Sequence, residues 1–98
     1  MSAYVIFVRE ELTDKAEMEK YARAAVGARG DHNIERLAFY GDVEVLEGSD
    51  LDRVAILKFD DMDSARKWYN SPEYQAAKPH RLNGAKYQVI LVDGFKAT

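Results

Sequence analysis

Three segments of this chain predict β-strands that are apolar on both faces. They are rich in β-branched and aromatic residues, which favour strands, and they span Ala3–Arg9, Arg53–Phe59 and Tyr87–Val92. Successive side chains of a strand point to opposite faces. In the first segment one face therefore carries Tyr4, Ile6 and Val8, and the other carries Val5 and Phe7. A sheet built from such strands needs an apolar cover on both faces, and this requirement limits the folds that the chain can adopt.

A first helix is predicted after the first strand. Thr13 is a candidate N-cap, and Gly27 and Gly30 mark the region where the helix should end. The apolar residues recur at helical spacing: Met18, Tyr21, Ala22, Ala25 and Val26. This stripe is expected to face the sheet.

Two further helices are predicted between the third and last strands. Asp61 is the best N-cap candidate for the first of them. Ser71 is predicted to cap the second, with Pro72 at the first helical position, where a missing N–H costs nothing. A capping role explains Ser71 more simply than a nucleophilic one. Pro79 disfavours helical geometry at Lys78, so the helix is expected to end or kink there.

The second strand region comprises Glu35–Tyr40 and Val43–Glu47. Gly41-Asp42 between them is either a tight hairpin turn or a bulge in one bent strand, and the bulge is favoured because the hairpin would be very short. The order of elements is then β-α-β-β-α-β. This predicts an α+β, ferredoxin-like antiparallel sheet with its helices on one face.

The second face of that sheet predicts an assembly. Helices on one side leave the apolar residues of the other side exposed as a large patch. The simplest cover is the same face of a second copy, related by a two-fold axis. We therefore expect a homodimer that packs through its sheet faces.

Composition narrows the functional classes. The chain has 98 residues, the size of one domain spanning 1–98. It has no cysteine, which excludes disulfides and Cys-bound zinc and fits a cytoplasmic location. The net charge is −3 with scattered Lys and Arg, so nucleic-acid binding is not expected. No signal peptide is expected, and no apolar run approaches the roughly 20 residues that span a bilayer.

Metal and cofactor motifs are missing from the sequence. There is no GxGxxG pattern and no phosphate-binding loop. The two histidines, His32 and His80, lack the spacing of a metal site. The sequence therefore predicts neither a metal nor a cofactor.

Three stretches resemble the domain of unknown function 1330 family, which belongs to the dimeric α/β-barrel superfamily. They are GDVEVLEG at Gly41–Gly48, the stretch Arg53–Arg81 that contains WYNSPEYQAA, and VILVDG at Val89–Gly94. The resemblance implies a ferredoxin-like monomer and a dimeric α/β barrel, and it implies no established activity. Family members often carry Gly-Gly-Arg or Gly-Gly-Lys before the second strand. Here Ile34 stands in that region, which argues against a close approach of a ligand to the backbone.

The candidate site residues lie around the junction of the two later helices. Trp68, Tyr69, Tyr74 and Arg81 are predicted to bind a ligand at this aromatic corner, with His80 the candidate for catalysis. Core packing is the commoner role of aromatic residues at this helical spacing, and it also explains Trp68 and Tyr69. Arg36, Arg53 and Arg81 could each bind a carboxylate, although surface ion pairs are a commoner role.

Three functions remain open at the level of sequence. The chain could bind a small carboxylate or aromatic molecule in a cleft between sheet and helices of a homodimer. The resemblance to the superfamily implies a second possibility, a cofactor-independent enzyme similar to a monooxygenase or an isomerase, acting on such a molecule. The chain could also be a structural or interaction dimer without a ligand.

Overall fold

The computed structural model describes residues 2–95, which form a four-stranded antiparallel sheet with helices on one face. The elements are β1 (Ala3–Leu12), α1 (Lys15–Gly27), β2 (Glu35–Phe39), β3 (Arg53–Phe59), α2 (Met62–Tyr69), α3 (Pro72–Gly84) and β4 (Ala85–Asp93). The strand order is β2-β3-β1-β4, and all three strand pairs are antiparallel. The predicted α+β, ferredoxin-like fold is confirmed. That residues 1–98 form a single domain stays a prediction.

The two faces of the sheet differ in burial. Val5 and Phe7 of β1 are buried under the helices, 3% and 2% exposed. Ile6 points the other way and lies opposite Ile56 of β3 and Ile90 of β4. Ile90 is 42% exposed, so residues 2–95 leave an apolar sheet face without a cover.

Two of the three predicted N-caps are confirmed. The side chain of Asp61 accepts a hydrogen bond from the Ser64 amide, and that of Ser71 accepts one from the Tyr74 amide. The prediction for Thr13 is wrong. Asp14 caps α1, because its carboxylate accepts a hydrogen bond from the Glu17 amide at 3.2 Å.

The prediction of a second strand segment is also wrong. β2 ends at Phe39, and Val43–Glu47 is not a strand. Tyr40 has a φ of 58°, a left-handed conformation that turns the chain out of the ladder. Its amide still donates to the Val54 carbonyl at 2.8 Å, and the residues that follow pair with no neighbouring strand among residues 2–95.

Pro79 does not end its helix. α3 continues to Gly84 with Pro79 inside it, although a proline there removes one backbone hydrogen bond. The buried residues Tyr74 and Ala77 precede Pro79, and the buried Arg81 follows it. Packing on both sides of the proline therefore outweighs the lost hydrogen bond.

Helix α1 is held closely against α3. The amides of Thr13 and Asp14 both donate to the Gly84 carbonyl at 2.9 Å. A Cβ atom at Gly84 would lie 2.8 Å from Met18 Cγ, so only glycine allows this approach without a shift.

None of the helices within residues 2–95 is long and apolar enough to cross a membrane.

Candidate ligand-binding site

A cavity of about 520 Å³ lies between α1 and the sheet. This volume is within the range of small-molecule sites. Most of its wall is apolar: Phe7, Leu12, Met18, Ala22, Ala25, Val26, Ile34, Phe39, Ala55, Leu57 and Trp68. Ile34, the residue that departs from the family's glycines, is 6% exposed and forms part of this wall.

The position of α1 accounts for the cavity. Of the residues in this helix only Tyr21 is buried. Ala22 and Ala25 present small side chains to the cavity, and Val26 is 63% exposed. The apolar stripe of α1 is thus only partly packed, because the helix rests on α3 through Gly84 and its small residues do not fill the space above the sheet.

The charged residues of the cavity wall are mostly basic. Four carry a positive charge and one a negative charge: Arg9, Lys15, Arg29 and Arg36 against Glu19. The whole chain has a net charge of −3, so the cavity has the opposite sign to the protein. Such a focused positive region attracts anions.

The arginines differ in how they are engaged. Arg9 Nε lies 2.7 Å from the Asp52 carboxylate. Arg29 donates to the Ile34 carbonyl oxygen at 2.5 Å, and the Arg36 guanidinium lies 4.5 Å from the centroid of the Phe39 ring. Within residues 2–95 neither Arg29 nor Arg36 has a carboxylate partner. These two charges are available to a ligand.

Tyrosine hydroxyls form the uncharged polar part of the wall. Tyr21 and Tyr40 line the cavity. The Tyr21 hydroxyl lies 2.8 Å from that of Tyr74, and the Tyr87 hydroxyl donates to that of Tyr40 at 3.0 Å. Burial raises the pKa of Tyr21 and that of Tyr40 well above the ordinary value, and the hydroxyl partner of each raises it further. Both phenols are therefore neutral donors at physiological pH.

Arg81 and Tyr74 lie behind Tyr21, away from the cavity. Tyr74 is fully buried, and Arg81 is only 3% exposed. Arg81 Nε donates to the Tyr74 hydroxyl at 3.3 Å. Burial lowers the pKa of Arg81, but Tyr74, Tyr21 and Tyr69 together raise it above its ordinary value, so the guanidinium stays charged.

The four ligand-binding residues predicted from the sequence are brought together by the fold. The ring centroids of Trp68 and Tyr74 lie 4.3 Å apart, and those of Tyr69 and Tyr74 lie 5.3 Å apart. Arg81 donates a hydrogen bond to the hydroxyl of the same Tyr74. Among the four, Trp68 is the one that lines the cavity. Their role in ligand binding stays a prediction.

The indole N–H of Trp68 is buried and has no hydrogen-bond partner within the described part of the chain. Such an unmade hydrogen bond costs roughly 1–3 kcal/mol. Trp68 is held in place by aromatic packing, since its ring lies 5.3 Å from that of Phe59 and 6.2 Å from that of Phe7. Its position beside the cavity is thus set by the shape of the core.

His80 lies on the outer side of the helix pair. Its Nδ1 is 3.2 Å from the Glu17 carboxylate on α1, and its side chain is 38% exposed. It does not line the cavity. A catalytic role for His80 stays a prediction.

Sequence reasoning did not identify Tyr21, Tyr40, Arg9 or Arg29 as site residues. Tyr21 was visible as part of the apolar stripe of α1, where a hydroxyl among alanines marks a polar point in the core. Tyr40 gave no signal, because its place depends on the turn that ends β2. Of the arginines considered for a carboxylate, Arg36 lines the cavity, whereas Arg53 pairs with Asp42 at 3.0 Å.

Solved structures with the same fold come from several bacteria. A protein of unknown function from Rhodopseudomonas palustris has a TM-score of 0.73 and 15% identity, over 98% of this chain and 84% of its own. A dimeric ferredoxin-like protein of unknown function from Bacteroides fragilis has a TM-score of 0.62 and 13% identity, over 95% of this chain and 96% of its own.

A cofactor-independent oxygenase from Streptomyces nogalater, SnoaB, is also similar. Its TM-score is 0.64 and its identity 12%, over 98% of this chain and 95% of its own. At such identities the likeness shows the fold alone. No curated protein matches the chain.

The family is shown by the sequence itself. The profile of a domain of unknown function, DUF1330, matches residues 2–95, and the resemblance stated from three sequence stretches is confirmed. This chain belongs to the DUF1330 family.

Proposed function

We propose that the chain binds a small organic molecule with an aromatic or aliphatic body and a carboxylate group in the cavity between α1 and the sheet. The observation that most supports this is an apolar cavity of about 520 Å³ with four basic side chains and one acidic side chain in its wall. Binding would transfer the apolar body of the ligand from water to the apolar wall of the cavity, which is favourable. For a ligand small enough to fit this cavity, we expect a dissociation constant in the range of roughly millimolar to micromolar.

Arg29 and Arg36 are the proposed partners of the carboxylate. A guanidinium binds a carboxylate through charge-assisted hydrogen bonds. Arg9 is less suited, because its charge is already paired with Asp52. Trp68 would contact the ligand body as part of the wall. Tyr69 and His80, which do not line the cavity, stay predictions without a proposed contact.

The test is calorimetric titration with 2-naphthoate and with neutral 2-naphthalenemethanol, two probes with the same rings. Naphthoate should bind more tightly. Arg36→Ala should weaken naphthoate binding about threefold to tenfold and leave the alcohol unchanged, because a hydrogen bond to a charged group is lost. Arg23→Ala is the matched control, since Arg23 is exposed on α1 and does not line the cavity.

A second variant tests the cavity itself. Ala22 lies on its wall and is exposed, so Ala22→Trp can fill the space without overpacking the core. Binding of both probes should be lost while the melting temperature is kept. Binding that survives Ala22→Trp unchanged would place the ligand elsewhere and contradict the proposal.

We also propose that the chain forms a homodimer through the open face of its sheet. This face carries Ile6, Ile56 and Ile90 in register at its centre. An apolar patch of this kind on a sheet is normally covered. Related folds described as dimeric, such as the protein from Bacteroides fragilis, support the same arrangement.

A cofactor-independent enzyme is the second candidate. Two hydroxyls, those of Tyr21 and Tyr40, lie in the cavity wall, where they could stabilise a substrate oxygen. One protein of the same fold is a cofactor-independent oxygenase. Oxygen uptake measured with electron-rich phenols as substrates would favour this function. If no probe binds and no oxygen is consumed, the third possibility, a structural or interaction dimer without a ligand, is favoured.

We propose a cytoplasmic location, because the chain has no cysteine and so needs no disulfide, which is compatible with a reducing compartment. Fractionation of cells that produce the protein, with antibody detection, is the direct test.

A further inference from the structure

Three buried polar side chains, those of Arg81, Tyr74 and Tyr21, form a continuous row that ends at the cavity. Arg81 has no carboxylate partner within residues 2–95. Its guanidinium instead lies 5.8 Å from the Phe7 ring centroid and 5.2 Å from that of Tyr87. A buried charge without an opposite charge is costly. Its side-chain hydrogen-bond partner among residues 2–95 is the Tyr74 hydroxyl, 3.3 Å from Nε.

The chemistry of the guanidinium determines which group donates and which accepts in each hydrogen bond of this row. A guanidinium donates hydrogen bonds and cannot accept them, so the Tyr74 oxygen is the acceptor. The proton of Tyr74 then needs its own acceptor, and within residues 2–95 the Tyr21 oxygen at 2.8 Å is the one in reach. Tyr21 keeps its own proton, and no acceptor for it lies within the described part of the chain.

The opposite direction is less favourable. If Tyr21 donated to Tyr74, the proton of Tyr74 would be left without an acceptor in a fully buried position. A buried donor without a partner is strongly disfavoured. Tyr21, in contrast, lines the cavity, where a water molecule or a ligand can accept its proton.

A second pair of tyrosines, Tyr87 and Tyr40, also provides a hydrogen-bond donor at the cavity. The Tyr87 hydroxyl donates to that of Tyr40 at 3.0 Å, and Tyr40 also lines the cavity. Tyr40 is held at a φ of 58°, a conformation that is strained for any residue with a side chain and that often occurs at functional sites. The cavity thus receives two phenolic donors, each with a tyrosine behind it.

We infer that the Tyr21 hydroxyl donates to a phenolate, enolate or ketone oxygen of the ligand, with Tyr74 and Arg81 as positioning residues. This inference rests on the proposed function and adds a second recognition element to it. The ligand carries this oxygen in addition to the carboxylate that the arginines of the wall would bind. Hydrogen bonds in a row polarise one another, and a donor fixed in a site of low polarity stabilises an oxyanion.

The test uses 4-nitrophenol and nitrobenzene as probes, because they differ in the hydroxyl alone. The phenolate absorbs visible light, so its ionised fraction can be followed in the bound state. Wild-type protein should bind the phenolate more tightly than nitrobenzene and lower the pH at which the bound probe ionises. Tyr21→Phe should weaken phenolate binding roughly tenfold, the worth of a hydrogen bond to a charged group, and leave nitrobenzene binding unchanged.

Tyr74→Phe tests the positioning role, since it removes the hydroxyl and keeps the ring in the core. It should raise the pH at which the bound probe ionises by less than Tyr21→Phe does, with nitrobenzene binding unchanged. A purely structural role for Tyr74 would weaken both probes equally and leave the ionisation of the bound probe unshifted. Arg81→Lys is the companion variant, and it should shift the ionisation in the same direction.

The outcomes separate this inference from the proposed function. If both probes bind but Tyr21→Phe leaves phenolate binding unchanged, the inference is overturned and the cavity remains a binding site. If neither probe binds to wild-type protein or competes with 2-naphthoate, while 2-naphthoate itself binds, the role of Tyr21 is again overturned. If none of these molecules binds, the proposed function fails together with it.

Discussion

The hydroxyl of Ser71 lies 2.7 Å from the carbonyl oxygen of Trp68 and donates to it. The Ser71 hydroxyl oxygen in turn accepts a hydrogen bond from the Tyr74 amide at 3.2 Å. One side chain therefore satisfies an acceptor at the end of α2 and a donor at the start of α3. This junction brings the rings of Trp68 and Tyr74 to 4.3 Å between centroids.

Ser71→Ala should lower the free energy of unfolding by about 1–3 kcal/mol, since both hydrogen bonds are lost in a buried position. Ser71→Asp should not restore stability, because a carboxylate cannot donate to the Trp68 carbonyl. Chemical denaturation followed by tryptophan fluorescence measures both. Asp14→Ala, at an exposed cap that only accepts, should cost less than Ser71→Ala. An aspartate variant as stable as wild type would contradict the double role of the hydroxyl.

Gly84→Ala should destabilise the protein by roughly 1–3 kcal/mol, because a Cβ would lie 2.8 Å from Met18 Cγ and 3.0 Å from the Met18 amide nitrogen. Gly27→Ala is the matched control. No atom lies within 4 Å of a Cβ at that position, so Gly27→Ala should raise the free energy of unfolding by about 0.4–1 kcal/mol. Thermal unfolding of the two variants should move in opposite directions, and a stabilised Gly84→Ala would argue against close contact of α1 and α3.

Ile6→Glu should convert the proposed dimer into a monomer. Ile6 lies at the centre of the open sheet face, opposite Ile56 and Ile90, and burying an unpaired charge there costs several kcal/mol. Sedimentation equilibrium should give twice 11.1 kDa for wild type and 11.1 kDa for the variant.

Two controls locate that effect. Leu82→Glu places the same charge on α3, where Leu82 is 60% exposed, and should leave the mass unchanged. Val5→Glu places it under the helices, where Val5 is 3% exposed, and should unfold the chain. A wild-type protein that sediments as a monomer would contradict the proposed assembly.

Stability should fall steeply above about pH 10, the ordinary pKa of tyrosine. Burial raises the pKa of Tyr21, Tyr40 and Tyr74 in the folded state. Above pH 10 the unfolded chain loses these protons and the folded chain keeps them. Each such tyrosine therefore lowers the free energy of unfolding by about 1.4 kcal/mol for each further pH unit.

Urea unfolding at pH 9 to 11.5 measures this slope, and absorbance at 295 nm follows phenol ionisation. Tyr21→Phe should reduce the slope by about one proton. Early ionisation of all tyrosines in the folded protein would contradict their burial.

Local features of the fold were predictable because they depend on neighbouring residues. The spacing of apolar residues places β3 at Arg53–Phe59, as found. Asp61 and Ser71 predict the starts of α2 and α3, because a capping side chain accepts a hydrogen bond from an amide only three residues further along the chain. The error at Thr13 and the continuation of α3 past Pro79 have a tertiary cause. The Gly84 carbonyl from another element holds the amides of both Thr13 and Asp14, so α1 begins only after Asp14, and α3 is kept helical past Pro79 by its buried contacts.

The local sequence is sufficient to predict the strands that are apolar on both faces, the caps of α2 and α3 and hence the ferredoxin-like order. It also placed an aromatic cluster with Arg81 at the α2–α3 junction. Tertiary packing sets where the cavity lies, because that depends on the contact of α1 with α3 at Gly84. It also decided that Tyr21 meets Tyr74, and that Tyr40 meets Tyr87. These hydroxyls come from distant parts of the chain, and no local pattern encodes a contact made by the packing of separate elements.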